Sequence, residues 1–350
     1  MPCHRLANGI ADLETADFVK LFASMPNIRK IDLRCAGQFK DEVIDYIMWR
    51  DIPIEDLRLD AANLISNQKW IEYFSYGGHR LRSIKLVSLD YAMDDEACVQ
   101  LVRSCPNLQR IKLRKCFKIG DNALKTLAEL KSLEHLSLQF NNSTSSDTLV
   151  HLISALGPKL RTLSLEDLVD ADDKVLAIIR SRCSKLTKLR FCGNDQCTDA
   201  GLKNAFLDSA NPPLTFVDLS NTRDVNYEAP DGPDEPNGLA SAGFEALMEH
   251  SGSSLEVLNI RSCRHISQES LSRVFDEKQR YPMLKEIDIS FVPAFNTAQV
   301  VSMIECCPSL RKISAFACFN VTNIAVPAGL ALIGVPDAQL SIVQGDGEIL

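Results

Sequence analysis

Lysine and arginine recur at two-residue spacing in this 350-residue chain. The densest case is Arg110, Lys112 and Arg114 in "RIKLR", and Lys30 with Arg34, Arg58, Lys85, and Lys188 with Arg190 hold the same phase in sibling segments. Residues two apart on an extended strand share a face, so these side chains would line one side of a sheet. Guanidinium and ammonium groups so arranged are suited to phosphate or carboxylate groups on a partner. The formal net charge is −8, so any anion binding must come from such a local surface rather than from the chain as a whole. The competing reading is that exposed strands carry charge for solubility. At the same phase the later segments turn acidic, with Asp218, Glu286 and Asp288.

Other chemistry is sparse. The six histidines fall at unrelated points, and none accompanies a Ser or Cys in a nucleophile motif. There is no phosphate-cradling glycine loop and no recognisable carboxylate pair. Most of the twelve cysteines flank a repeated phrase, as in "CPNL", "CSKL" and "CPSL" before it and "LRKC", "IRSC" and "FAC" after it. Cysteines that follow a structural period are read as small buried hydrophobes. Cys192 and Cys197 are separated by four residues, Cys306 and Cys307 are adjacent, and no second knuckle accompanies either pair, so no metal site is expected. The expectation is a protein that is not an enzyme and uses no cofactor.

The elements that carry these residues follow from an apolar ladder. The phrase L-x-x-[LIV]-x-[LIFA] starts at Ile28, Ile54, Leu81, Leu108, Leu133, Leu160, Leu186, Leu214, Leu255, Leu284 and Leu310, at spacings of 26, 27, 27, 25, 27, 26, 28, 41, 29 and 26 residues. Within "CPNLQRIKLRKCFKIGDNALKTLAEL", Leu108, Ile111 and Leu113 mark a strand, Cys116 and Ile119 turn inward, and Asp121 is placed to cap a helix buried through Leu124 and Leu127. Ser267 is placed likewise ahead of Leu271 and Val274, and Trp70 sits at an apolar helix position. One unit cannot hide its apolar edges, so units stack. The fold class is therefore α/β: a leucine-rich-repeat solenoid, or horseshoe, of the cysteine-containing type, with about eleven strand–helix repeats. Such a fold works through a surface, not a catalytic pocket. No stretch is long and apolar enough to span a bilayer.

Two departures from the period set the expected organisation. Residues 1–24 read as a partial N-terminal repeat, so the chain is expected to begin inside the array. Residues 25–322 form the solenoid, with an acidic, Pro-rich insertion at 221–238 that accounts for the 41-residue spacing. Residues 323–350 read as a non-helical C-terminal cap and tail.

Beyond the generic repeat, "GQFKDEVIDYI", "SAGFEALMEHSG", "CRHIS" and "PAGLALIGVPDAQ" resemble the fungal leucine-rich-repeat subunit of the global-genome nucleotide-excision-repair factor, over nearly all of the chain. The resemblance implies a non-catalytic nuclear scaffold for DNA-damage recognition. Its implied partners are a Swi/Snf-type ATPase bearing a RING finger, elongin-C with a cullin, and a damage-recognition protein as ubiquitination target. Weak contact with damaged DNA through the basic face is a further expectation. The family's elongin-binding stretch and zinc-binding cysteine pairs lie upstream of the repeats and correspond to no residue here. The repeat phrase alone also fits F-box leucine-rich-repeat adaptors for ubiquitin-dependent degradation outside repair, which is the alternative reading.

Overall fold

The computed structural model describes residues 5–6, 13–34, 36–89, 93–139, 144–222, 238–322 and 324–335. The chain divides into two compact units, Met1–Val169 and Asp170–Leu350.

In the first unit, strands β1 (Arg5–Leu6), β2 (Lys30–Leu33), β3 (Asp56–Asp60), β4 (Ser83–Val87), β5 (Arg110–Arg114), β6 (His135–Gln139) and β7 (Thr162–Glu166) pair in parallel, in chain order. Between them run helices α1 (Thr15–Ser24), α2 (Asp41–Trp49), α3 (Asn67–Gly77), α4 (Asp95–Ser104), α5 (Asp121–Leu127) and α6 (Ser146–Leu156). The register is constant from strand to strand. It aligns Ile31, Leu57, Ile84, Ile111, Leu136 and Leu163 in one buried row, and Leu33, Leu59, Leu86, Leu113, Leu138 and Leu165 in the next. Each such side chain contributes about 1.5–3 kcal/mol when fully buried. These rows are the ladder seen in the sequence, folded so that each rung covers its neighbours.

The second unit continues the plan with α7 (Asp173–Arg182), β8 (Lys188–Cys192), α8 (Asp199–Phe206), β9 (Phe216–Asp218), α9 (Ser241–Ser251), β10 (Val257–Asn259), α10 (Gln268–Val274), β11 (Glu286–Asp288), α11 (Thr297–Cys306), β12 (Lys312–Ser314) and β13 (Ala331–Ile333). Its strands are again parallel and sequential. Most of the acidic insertion, residues 223–237, lies outside the described residues, as do residues 1–4, 7–12, 323 and 336–350 of the two terminal segments. Of the segment 323–350, the described part carries β13 and no helix.

After several strands the chain turns through a left-handed residue that is not glycine. Ala61 (φ 58), Ser88 (φ 55) and Lys115 (φ 52) follow β3, β4 and β5. Their N–H groups donate to the carbonyls of Val87, Arg114 and Gln139 on the next strand, each at 2.9 Å. A left-handed residue costs about 1–2 kcal/mol, and here a lateral hydrogen bond holds each one in place.

The helix starts are tied to one another in a way the sequence reading placed wrongly. Asp121 does not cap its own helix: Gly120 occupies the cap position, and Asp121 is the first helical residue. One residue inside the helix, its carboxylate reaches outward and accepts from the Ser145 N–H at 3.2 Å and the Ser145 hydroxyl at 2.7 Å. Asp41 does the same for Ser66, and Asp173 for Thr198. Helices α3, α6 and α8 are therefore capped partly by their predecessors, which couples neighbouring repeats. Ser267, by contrast, caps its own helix as read from the sequence, accepting from the Ser270 N–H at 3.1 Å.

Ten of the cysteines are described, and all are free thiols. Burial pushes Cys105, Cys183, Cys197 and Cys307 up to about 12 from an ordinary 9.0. These four thiols are expected to resist a soluble disulfide reagent in the native protein at mildly alkaline pH and to react at once in strong denaturant. The same shifts fix a stability trend. Between about pH 9 and 12 the unfolded thiols ionise while the native ones stay neutral, so the unfolded state binds fewer protons and stability falls as pH rises. Rapid native labelling of Cys105 would contradict this burial.

Candidate partner-binding face

Opposite the helices, the strands of each unit carry the polar side chains that alternate with the buried rows. On the first unit the register sets them in three lines. One runs Lys30, Asp56, Ser83, Arg110, His135, Thr162; the second runs Asp32, Arg58, Lys85, Lys112, Ser137, Ser164. The third includes Asp60, Val87, Arg114, Gln139 and Glu166. Arg34 lies just past the end of β2 and is exposed.

The structure separates the nine basic residues read from the sequence into groups with different environments. Lys30 is spent within the fold, because its Nζ pairs with Asp56 at 2.8 Å. Arg58 donates to the same carboxylate at 3.0 Å and lies 3.9 Å from Asp32. Burial pushes the Asp56 carboxyl up, but hydrogen bonds from Arg58, Lys30 and Ser83 outweigh it and hold the group below its usual range. Arg58, Lys85, Arg110 and Lys112 come together with Ser83, His135, Ser137 and Thr162 around a depression of about 260 Å³ floored by Ile84, Ile111 and Leu136. His135 Nδ1 lies 3.0 Å from the Thr162 hydroxyl. Among the described residues the buried Ser137 Oγ and Arg114 Nε have no hydrogen-bond partner. Lys188 and Arg190 belong to the second unit, on β8. There Arg190 pairs with Asp218 at 3.0 Å and stacks over the Phe216 ring at 5.4 Å.

The sequence reading missed two features of these faces. His135, Ser137 and Thr162 share the basic depression because they hold the same phase in β6 and β7, where the charged residues that drew attention stop. On the second unit Phe291, Phe316 and Phe319 are exposed, and the Arg261 guanidinium lies 4.7 Å from the Phe291 ring centre. Among the described residues no group of three or more His, Cys, Asp or Glu side chains is placed to hold a metal ion. Among the described residues no helix is long and apolar enough to cross a membrane.

A parallel strand–helix repeat with a polar sheet face and a leucine core defines the class: an α/β leucine-rich-repeat solenoid. Comparison with known proteins narrows this. The chain is similar to the DNA repair protein rhp7 of Schizosaccharomyces pombe, with 24% identity over 342 residues, 94% of this chain and 57% of that protein. It thus spans little more than half the length of that relative. The crystal structure of Rad7 in complex with Elc1 from yeast matches with a TM-score of 0.76 at 20% identity, covering 95% of this chain and 80% of that one, which establishes the fold. The leucine-rich repeat-containing protein LegL7 from Legionella pneumophila matches with a TM-score of 0.46 at 17% identity, over 89% of each chain. No protein-family model matches. The resemblance read from the sequence, to a fungal leucine-rich-repeat repair protein, is borne out by the first two of these likenesses.

Proposed function

We propose that this chain is a non-catalytic protein-binding scaffold of a nuclear DNA-damage-recognition complex for global-genome nucleotide excision repair, linked to a cullin-type ubiquitin ligase as a substrate-recognition subunit. The observation that carries this reading is the similarity to a DNA repair protein along 94% of the chain. It is supported by the likeness to a chain crystallised with a partner protein, Elc1. The architecture fits a scaffold in physical terms. A solenoid buries its apolar residues between repeats and leaves a long, rigid, polar face for partners. In this reading the face of the first unit, with Arg58, Lys85, Arg110 and Lys112, receives a protein partner. Elongin-C and the cullin dock elsewhere in the assembly, and a RING-bearing Swi/Snf-type ATPase shares the complex.

Affinity purification of the tagged chain from its own cells tests this. The RING-bearing ATPase is expected at about tenfold or greater enrichment over an untagged control. Repeated recovery of an F-box-type ligase core without that ATPase would overturn the repair assignment.

A further inference from the structure

The basic depression of the first unit has a layout that the fold itself does not require. In register, Arg58, Lys85 and Lys112 stand side by side on β3, β4 and β5. Like charges directly opposite one another on adjacent strands destabilise a sheet. Neighbouring strands lie about 4.8 Å apart, so the three cations fall within roughly 10 Å. The run is short and bounded. Asp32 precedes it on β2, and Ser137 and Ser164 follow it on β6 and β7. Asp56 offsets part of the Arg58 charge, whereas Lys85 and Arg110 have no ion-pair partner among the described residues. Around this core stand the Ser83, Ser137 and Thr162 hydroxyls and the His135 ring, with Ser83 hydrogen-bonded to Asp56 and His135 to Thr162. The Ser137 hydroxyl is without a partner among the described residues.

These features match a single, compact, multiply charged oxyanion. Binding duplex DNA requires a basic track that follows one negative charge per roughly 1.7 Å of helix axis. Here the basic run ends after three strands against acidic residues on one side and hydroxyls on the other. A carboxylate has two oxygens and one charge, and would engage only part of the cluster. A phosphate monoester carries about −1.5 to −2 charges and three acceptor oxygens, enough to answer two lysines, an arginine and the hydroxyls together. We propose that the depression lined by Arg58, Lys85, Arg110, Lys112, Ser137 and Thr162 recognises a phosphorylated serine or threonine side chain of a protein partner. This rests on the reading of the sheet face as a partner surface, and it makes partner binding on this face dependent on a kinase.

The test uses the full chain and three fluorescent probes: a pool of short peptides with a central phosphoserine and degenerate flanks, the same pool unphosphorylated, and a short DNA duplex. The phosphorylated pool is expected to bind at least about tenfold more tightly than its unphosphorylated counterpart and to be displaced by inorganic phosphate. The Lys85→Ala, Lys112→Ala double variant should lose that preference. Arg110→Gln should weaken it, and Lys188→Ala, on the other unit, should leave it intact. Melting temperatures of all variants exclude misfolding as the cause. Equal binding of the two pools, or binding of neither, overturns the proposal. So does duplex binding that exceeds that of the phosphorylated pool and falls with the same substitutions. If the double variant still recovers the ATPase while no phosphate preference exists, the phosphate site fails and the scaffold reading stands.

Discussion

Replacement of Trp70 by alanine is expected to lower the stability of the Met1–Val169 unit by about 3–5 kcal/mol, the cost of removing a large, fully buried aromatic side chain. Trp70 is wholly inaccessible on α3, stacks on Phe74 at 5.4 Å with the rings inclined by 24°, and meets Tyr73 edge-on at 6.5 Å. Truncation leaves a cavity that the parallel repeats on either side cannot collapse to fill, because their strands hold the register. The indole Nε1 has no hydrogen-bond partner among the described residues, so the polar end of the ring contributes little. Trp70→Phe, which keeps much of the ring volume, is therefore expected to cost about 1.5 kcal/mol or less. Denaturant titration followed by circular dichroism measures both values. Fluorescence gives an independent check, since the chain has two tryptophans and the other, Trp49, is 75% exposed. Trp70→Ala should remove the blue-shifted component of the emission and leave the solvent-exposed one. A cost below about 1 kcal/mol would place Trp70 outside the core.

The second large effect is expected at Asp199. Its carboxylate accepts from three backbone N–H groups at the start of α9: Ala240 at 2.8 Å, Ala242 at 3.1 Å and Gly243 at 2.8 Å. Helix α9 has alanine at its cap position and no side-chain cap of its own, so Asp199 supplies both the missing acceptors and a negative charge at the positive helix end. It does so across 41 residues of sequence, which makes it a clasp between the start of α8 and the start of α9. Asp199→Ala leaves three donors without that acceptor and is expected to cost about 3 kcal/mol, since hydrogen bonds to a charged group contribute about 1.5–3 kcal/mol apiece and are not additive. Gly243 is part of the same clasp, because a Cβ there would stand 2.7 Å from the Asp199 oxygen and 3.0 Å from Leu202. Gly243→Ala should thus displace the carboxylate. In a double-mutant cycle the two substitutions together should cost clearly less than the sum of their separate effects. Additive costs would show that Asp199 and Gly243 act independently.

The repeat architecture was legible in the residues because it rests on short-range geometry. Two-residue alternation puts Ile111 and Leu113 inward and Arg110, Lys112 and Arg114 outward without reference to any other part of the chain. The period between phrases then places each strand beside the next. Trp70 was placed in the core for the same reason, since a single helix face determines its direction. The clasp at Asp199 and the Asp121–Ser145 bridge were not legible. A carboxylate at the first turn of a helix can cap its own helix or reach a neighbour, and nothing local distinguishes the two. The spacing to Ala240 passes through an insertion whose length hides the partnership.

The basic face shows the same division most sharply. The sequence by itself determined that nine cations take the outward phase of strands, because backbone pleat alone decides which way alternate side chains point. Only the tertiary structure decided which of them come together. Lateral pairing sets Lys30 and Arg58 against Asp56, ties Arg190 to Asp218 on the other unit, and gathers Lys85, Arg110 and Lys112 with His135 and three hydroxyls around one depression. Those neighbours come from strands about 26 residues apart in sequence and about 4.8 Å apart in space, and Coulomb interactions follow the second distance.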